Sequence, residues 1–342
     1  MPVTPPELGT QPVGGGARVF EDVWQLKVPV PFPLVFVASY LVREDAGWTV
    51  IDPGFDYPEG REVWRRGAKS LGLDLGGDIR RVVVTHLHPD HIGLAKWMSG
   101  RAGCPVLMSG MEIAAARRLW NPTADTDRFF RFMVRYGMDE ATARPNVLKQ
   151  SSRTELPDEI TPLAPGEKLE MGAGSYRLIH APGHTDHHLV FHDEHRGLLI
   201  GGDHVLLRIT PNIGVWPATE PRPLARYLAS VDGMRGLDVN LVLPGHGPLF
   251  HDLNGRIEEL TRHHEGRLDV MYRAYAGEPA TPYEIACRVF SLDLSDYQLR
   301  FALAETLAHL ELLEEQGRIE VAGEHPVRHR PVRRMDDIGS EA

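Results

Sequence analysis

Cysteine is almost missing: Cys104 and Cys287 are the only two in 342 residues. That excludes a disulfide-stapled scaffold and any metal site built on several thiolates. A membrane span is missing as well. The most apolar stretch, residues 31–42, is short and contains Pro33, so it reads as a buried strand. The N-terminus, MPVTPPELGTQPVGGGAR, lacks the basic start and apolar core of a secretory signal. Positive charge is in deficit. Thirty-seven Lys and Arg face 47 Asp and Glu, a net charge of −10, whereas binding through phosphates calls for a large basic surface. No internal repeat is found, and biased composition is confined to the Pro/Gly-rich start and the Arg/His-rich end. With 42% apolar and 25% charged residues the chain is globular, and its length predicts one large domain and one small one. A soluble, cytoplasmic protein is expected.

Histidine, by contrast, is abundant. Twelve of the 17 histidines lie between His86 and His251, and histidine is the commonest metal ligand. Over the same region strand-like and helix-like segments alternate. Strands are expected over 19–28, 34–43, 48–52, 81–85, 105–108, 176–181, 189–192, 197–203 and 239–245. Helices are expected over 59–72, from about His91 to Arg101, and at about 223–235. Residues 110–150 read as two or three further helices with no strand between them. After about residue 252 the pattern changes to helices at 252–276, 284–290 and 297–317. A short hairpin over 318–321 and 325–330 closes it. That is the order of a winged-helix module. The expected organisation is an extended N-terminus (1–17), a catalytic domain (18–250) with a helical insert at about 110–150, a winged-helix-like domain (251–330) and a tail (331–342).

The densest chemistry lies in Thr85-His86-Leu87-His88-Pro89-Asp90-His91, directly after a β-branched strand. In extended chain, residues i and i+2 point the same way, so His86 and His88 can grip one ion. Asp90 and His91 follow where the chain turns into a helix and suit a second ion. Three later segments match: Pro182-Gly183-His184-Thr185, Gly201-Gly202-Asp203-His204 and Pro244-Gly245-His246-Gly247. Each puts a ligand-type residue just past a strand end, in a glycine-bearing loop where backbone can crowd an ion. Leaving His204 aside, the four segments supply five histidines and two aspartates. Imidazole and carboxylate suit zinc, and a carboxylate can bridge two ions.

With these motifs the chain resembles the metallo-β-lactamase-fold hydrolase superfamily over about residues 18–250. HLHPDH matches its signature H-x-H-x-D-H, and His184, Asp203 and His246 match the later ligands in order and flanking residues. The resemblance implies an α/β fold, a four-layer αββα sandwich with its site at one edge of the sheets. It implies that His86, His88 and His184 hold one metal, that Asp90, His91 and His246 hold a second, and that Asp203 bridges them. Asp52, in Ile51-Asp52-Pro53-Gly54, matches the family's early aspartate, which orients a ligand histidine. No cysteine stands among the ligands and Asp203 is present, unlike the best-known zinc β-lactamases, which argues against antibiotic hydrolysis. His88 in place of Glu argues against diiron flavoprotein relatives. Only 42 residues separate Asp203 from His246, too few for the extra domain of the nucleic-acid-processing members. The tail is similar to that of a lactamase-β-like branch of esterases, thioesterases and an endoribonuclease.

The expected function is a dinuclear metal-dependent hydrolase of a thioester, ester or lactone, attacking through a hydroxide held between the metals. Asp90 is the expected catalytic carboxylate, holding the second metal and orienting the nucleophile. Two divalent ions are expected, zinc first, with iron or manganese tolerated by the same donors. The rival reaction is phosphodiester cleavage, as in a single-strand endoribonuclease. The rival outside enzymes is a nucleic-acid-binding or scaffold protein, against which the complete ligand set counts. The expected substrate is a small molecule with an apolar or acyl part. Phe129, Phe132 and Tyr136 of the insert, and Trp216 of the loop 205–222, are candidate pocket walls; helix-face spacing makes core packing an equal alternative for the insert residues. His180 reads as a core histidine, and His187, His188 and His204 as neighbours of the site without a catalytic role. Glu305, Glu311, Glu314 and Glu315 outnumber Arg300 on the last helix, which suits packing or a homo-oligomer contact better than a DNA groove.

Overall fold

The structure, a computed structural model, describes residues 13–32, 34–120, 126–148, 154–290 and 294–332. The expected N-terminal segment and tail lie largely outside these residues. The chain divides into two compact units. One comprises Met1–Ala124, Arg153–Pro211 and Ser230–Ile257; the other comprises Asp125–Ser152, Asn212–Ala229 and Glu258–Ala342.

The chain begins with strands β1 (Gly16–Phe20), β2 (Val23–Pro29), β3 (Phe36–Glu44) and β4 (Gly47–Ile51). Helix α1 (Pro58–Ser70), β5 (Ile79–Val84), α2 (Pro89–Ile92), α3 (Ala95–Ala102), β6 (Val106–Ser109) and α4 (Gly110–Leu119) follow. Next come α5 (Thr126–Arg135) and α6 (Glu140–Leu148). Strands β7 (Thr161–Leu163), β8 (Lys168–Met171), β9 (Gly174–His180), β10 (Leu189–Asp193) and β11 (Leu198–Gly202) lead to α7 (Pro223–Asp232) and β12 (Leu241–Pro244). The chain ends with α8 (Leu253–Arg273), α9 (Pro282–Val289), α10 (Asp296–Glu315) and the hairpin β13 (Ile319–Glu324) and β14 (Val327–Pro331).

In the first unit β1 to β7 form one sheet in chain order, antiparallel through β4 and parallel from β4 to β7. The second sheet runs β12-β11-β10-β9-β8, antiparallel except for the parallel β11–β12 pair. The central strands of the first sheet bury both faces, which is why they read as near-continuous apolar runs. On one face Leu26, Val28, Val50 and Val82 pack with Trp64 of α1 and Met98 of α3. On the other, Val42, Ile51 and Val83 pack with Leu178, Phe191, Ile200 and Leu243 of the second sheet. Each such side chain contributes about 1.5–3 kcal/mol. Arg196 ties the same layers: it meets Asp22 after β1 and Asp193 at the end of β10, each at 2.6 Å, and donates to Tyr176 Oη at 2.7 Å.

Several expectations shift in detail. Residues 19–28 are two strands, because the chain turns at Glu21-Asp22. The helix expected from His91 begins at Pro89 and breaks at Gly93-Leu94 into α2 and α3. Strands β7 and β8 have no counterpart in the sequence pattern.

In the second unit Phe129, Met133, Met138 and Ala143 of the insert pack with Leu303 and Leu307 of α10. Thr281 with Glu284 and Ser295 with Gln298 form reciprocal caps that start α9 and α10. Three helices and a hairpin follow one another in the order read from the sequence. Among the described residues no helix is long and apolar enough to cross a membrane.

Candidate metal centre

All seven motif residues follow strand ends. In the parallel β4–β5 pair Ile51 lies opposite Val83, so the chain leaves both strands together and sets Asp52 beside Thr85. The Thr85 N–H donates to Asp52 Oδ1 and its hydroxyl to Asp52 Oδ2, both at 2.8 Å. In the parallel β11–β12 pair Gly202 lies opposite Pro244, which sets Asp203 beside Gly245 and His246. Two glycines permit this approach. A Cβ on Gly245 would stand 2.3 Å from Asp203 Oδ1, and one on Gly202, at φ +49, would stand 2.5 Å from His188 Nε2. Hydrogen bonds link the sheets at this edge: Leu189 N to the Thr85 carbonyl (3.1 Å), Ala38 N to the Gly245 carbonyl (2.7 Å) and Tyr40 Oη to the Pro244 carbonyl (2.7 Å).

The seven residues converge. His86, His88 and His184 form one group, Asp90, His91 and His246 another, and Asp203 shares a group with His86 and His91; within each the donor atoms lie within 4.8 Å of one another. Asp203 stands 3.3 Å from His91 Nε2, 3.5 Å from His184 Nε2 and 3.3 Å from His246 Nε2. Asp90 stands 3.2 Å from His246 Nε2. The rings are held from behind. His91 Nδ1 donates to Asp52 Oδ2 (2.8 Å) and His246 Nδ1 to the Phe36 carbonyl (2.7 Å), so both aim Nε2 inward. The Thr85 hydroxyl, having donated to Asp52, accepts from His86 Nδ1 at 2.9 Å.

His91 Nε2, His246 Nε2 and Asp203 Oδ1 are buried and make no well-directed hydrogen bond within the protein. Buried polar tips that converge without bonding one another are costly unless something binds between them. Imidazole nitrogens and carboxylate oxygens in these groups are the donor set of divalent metal ions.

Electrostatics sort the cluster. Burial, reinforced by the neighbouring histidines, pushes His86 far down, and burial and His184 bring His88 to about 3. Burial also opposes charge on His91 and His246, but Asp203, with Asp52 and Asp90 at His91 and Asp90 at His246, outweighs it. It raises His91 well above its ordinary value and His246 to about 10. Burial likewise works against both carboxylates, yet His91 and His246 hold Asp90 and Asp203 below the usual range.

The other histidines behave differently. His180 donates to the Asp186 carbonyl (3.0 Å) and stacks on His187. His204 meets Ser230 Oγ at 2.9 Å. His188 is fully buried, stacks on His86 and accepts from Asp203 N at 3.2 Å. Sequence reasoning assigned His188 no catalytic role, gave Thr85 and Trp120 no part behind the centre, and missed Glu112. Glu112 Oε1 accepts from Leu87 N at 2.9 Å, and Trp120 Nε1 donates to the Leu87 carbonyl at 3.0 Å. Burial raises Glu112 to about 7. The candidate pocket residues belong to the second unit. Phe129 is buried in its core, stacked with Phe132 and Trp216, while Phe132, Tyr136 and Trp216 are half-buried.

Comparison with known proteins agrees with this geometry. Residues 33–246 match the model of the metallo-beta-lactamase superfamily, and residues 268–331 match that of the metallo-beta-lactamase-like C-terminal domain. "Probable metallo-hydrolase YqjP" of Bacillus subtilis is 26% identical over 318 residues, covering 87% of this chain and 94% of its own. The crystal structure of a metallo-beta-lactamase family protein from Thermus thermophilus superimposes with a TM-score of 0.82 at 33% identity, over 91% of this chain and 99% of that one. A beta-lactamase domain protein from Burkholderia ambifaria gives a TM-score of 0.85 at 31% identity, over 95% and 98%. The chain therefore belongs to the metallo-beta-lactamase superfamily and is built as one of its metal-dependent hydrolases, with the matching C-terminal domain after the catalytic one.

Proposed function

We propose that this protein is a dinuclear metal hydrolase acting on an ester-type carbonyl: a thioester, an ester or a lactone. The observation that carries the proposal is Asp203. One carboxylate lies within 3.3–3.5 Å of His91, His184 and His246, and so can face two ions at once. His86, His88 and His184 would hold one ion, Asp90, His91 and His246 the other, and Asp203 would be shared. Zinc is the first choice for these donors, with iron and manganese compatible. Two divalent ions bound there supply Lewis acidity toward a carbonyl oxygen and acidify water.

The residues divide the remaining work. Asp52, through His91, and the Phe36 carbonyl, through His246, hold both imidazoles in the tautomer that presents Nε2. Asp90 lies 3.2 Å from His246 Nε2, outside the shared position. It is assigned the task of orienting the attacking water and passing its proton to the leaving group. An alkoxide or thiolate leaving group asks little of an acid, so no further proton donor is required.

Elemental analysis of the metal-supplemented protein should give close to two transition-metal ions per chain. Asp203→Ala should lose metal and turnover together. A panel of p-nitrophenyl esters, acyl-CoAs, lactones and single-stranded RNA then decides the bond. Cleavage of RNA alone would replace the carbonyl assignment, and a wild-type protein that binds no metal would overturn the dinuclear one.

A further inference from the structure

Leu87 lies between two of the proposed ligands, and both polar groups of its backbone are tied to one helix. Its N–H donates to Glu112 Oε1 at 2.9 Å, and its carbonyl accepts from Trp120 Nε1 at 3.0 Å. Glu112 stands in the first turn of α4, and Trp120 caps its end. Glu112 has no exposed surface. A carboxyl taken fully out of water costs several kcal/mol unless its surroundings compensate. The one well-directed donor to the carboxyl is Leu87 N–H at Oε1; the Thr185 hydroxyl and the His187 N–H lie near the same carboxyl, whose Oε2 makes no well-directed hydrogen bond. Residues 185–187 directly follow His184. One side chain thus reaches both segments that supply the group His86, His88 and His184.

We infer that α4 is a clamp on the ligand loops, with Glu112 and Trp120 as positioning residues that orient the two peptides on either side of Leu87 and through them His86 and His88. Residues 85–87 bend after β5, and the two imidazoles stay together only while the two peptides between them, His86–Leu87 and Leu87–His88, keep their orientations. Rotating either peptide swings the rings apart. Glu112 holds the first through its N–H and Trp120 the second through its carbonyl, and Glu112 also stands against the His184 loop. The inference rests on the metal assignment above.

The test uses the full-length chain. Affinities for two Zn²⁺ ions are measured by competition with a chromophoric chelator, and metal-free melting temperatures are recorded alongside. The variants are Glu112→Ala, Glu112→Gln and Trp120→Phe, with His88→Ala marking the affected ion. Glu112→Ala and Trp120→Phe should each weaken the ion lost in His88→Ala by about 10- to 100-fold, leaving the other within about threefold. Glu112→Gln, whose amide oxygen can still accept from Leu87 N, should retain most of the affinity. Trp120→Phe keeps an aromatic ring while removing the donor and part of the indole's volume, and its metal-free melting temperature accounts for the lost packing, so it decides the matter if Glu112→Ala does not fold. Wild-type affinities in these variants, even with a lowered metal-free melting temperature, would overturn the clamp and leave a purely structural role. Equal weakening of both ions would overturn it too. A wild-type chain that binds no Zn²⁺ would instead refute the metal assignment beneath it.

Discussion

Replacing Asp52 by Asn changes one atom's chemistry and leaves the volume alone. Asp52 accepts three hydrogen bonds, from Thr85 N–H, the Thr85 hydroxyl and His91 Nδ1, each at 2.8 Å. Its φ of +51 is a left-handed conformation that Asn adopts readily, so the exchange adds no backbone strain. An Asn amide has a single oxygen. If that oxygen takes the position of Oδ2, the NH₂ group meets the Thr85 N–H. If the amide is flipped, NH₂ meets the His91 Nδ1 proton, and the ring must surrender either the hydrogen bond or the tautomer. In both cases a buried donor is orphaned, at a cost of about 1–3 kcal/mol. Loss of the partner behind a ligand imidazole lowers metal affinity by about 10- to 100-fold, or about 1.4–2.7 kcal/mol. Denaturant unfolding of metal-free protein should show the first loss as a lower midpoint at unchanged slope. Zn²⁺ competition should show the second, concentrated on the ion assigned to Asp90, His91 and His246. A variant that binds both ions as tightly as wild type, or loses only the ion assigned to His86, His88 and His184, would refute the reasoning.

Three further outcomes follow from groups outside the centre. Arg196→Ala strands Asp193 and Asp22 without their cation and should cost about 3–5 kcal/mol in denaturant unfolding; a cost below about 1 kcal/mol would mean that the network contributes little. Phe129→Ala removes a core ring and should cost about 3–5 kcal/mol in denaturant unfolding, and a cost below about 1 kcal/mol would refute its packing role. Burial holds His309 neutral, down to about 4, so its contribution is complete above the unfolded value near 6.5 and disappears as pH falls toward 4. Metal-free His309→Gln should therefore lose about 1.4 kcal/mol per pH unit of acid sensitivity between pH 6 and 4.5, and an unchanged slope would clear His309.

What was legible followed from period and punctuation. The dense spacing of His86, His88, Asp90 and His91 was legible, although residues 85–87 bend after β5, so it is a bend rather than the two-residue strand period that brings His86 and His88 together; the glycine-bearing ends of later strands announced where loops would crowd. Asp52 at the end of β4 was placed by resemblance, not by spacing. What was not legible depends on contacts distant in sequence. Glu112 and Trp120 reach Leu87 across 25 and 33 residues, through backbone groups that carry no residue identity. Strand β8 was missed because four residues, Lys168–Met171, alternate too briefly to stand above noise. Residues 19–28 read as one strand because the turn at Glu21-Asp22 lacks glycine and proline. The apolar stripe of α5 was visible, yet a stripe states only that a cover is required. Its cover, Leu303 and Leu307, lies more than 160 residues away.

The charge on α10 bears on the nucleic-acid alternative. A helix that reads a groove must first neutralise phosphates with exposed Lys or Arg. Arg300 is the one cation in Asp296–Glu315, and it is buried. His309 is buried as well and accepts from His264 through Nε2. At the other end of the helix Glu311 accepts from Arg222 N–H, and Glu315 pairs with the Arg222 guanidinium. Its acidic residues are therefore committed partly to the loop before α7, and its apolar face to the insert. A helix whose only cation is withdrawn from solvent and whose acids bind the protein's own arginine is organised for internal packing. This weakens the nucleic-acid alternative relative to the ester-type reaction, since α10 offers no exposed Lys or Arg to phosphate.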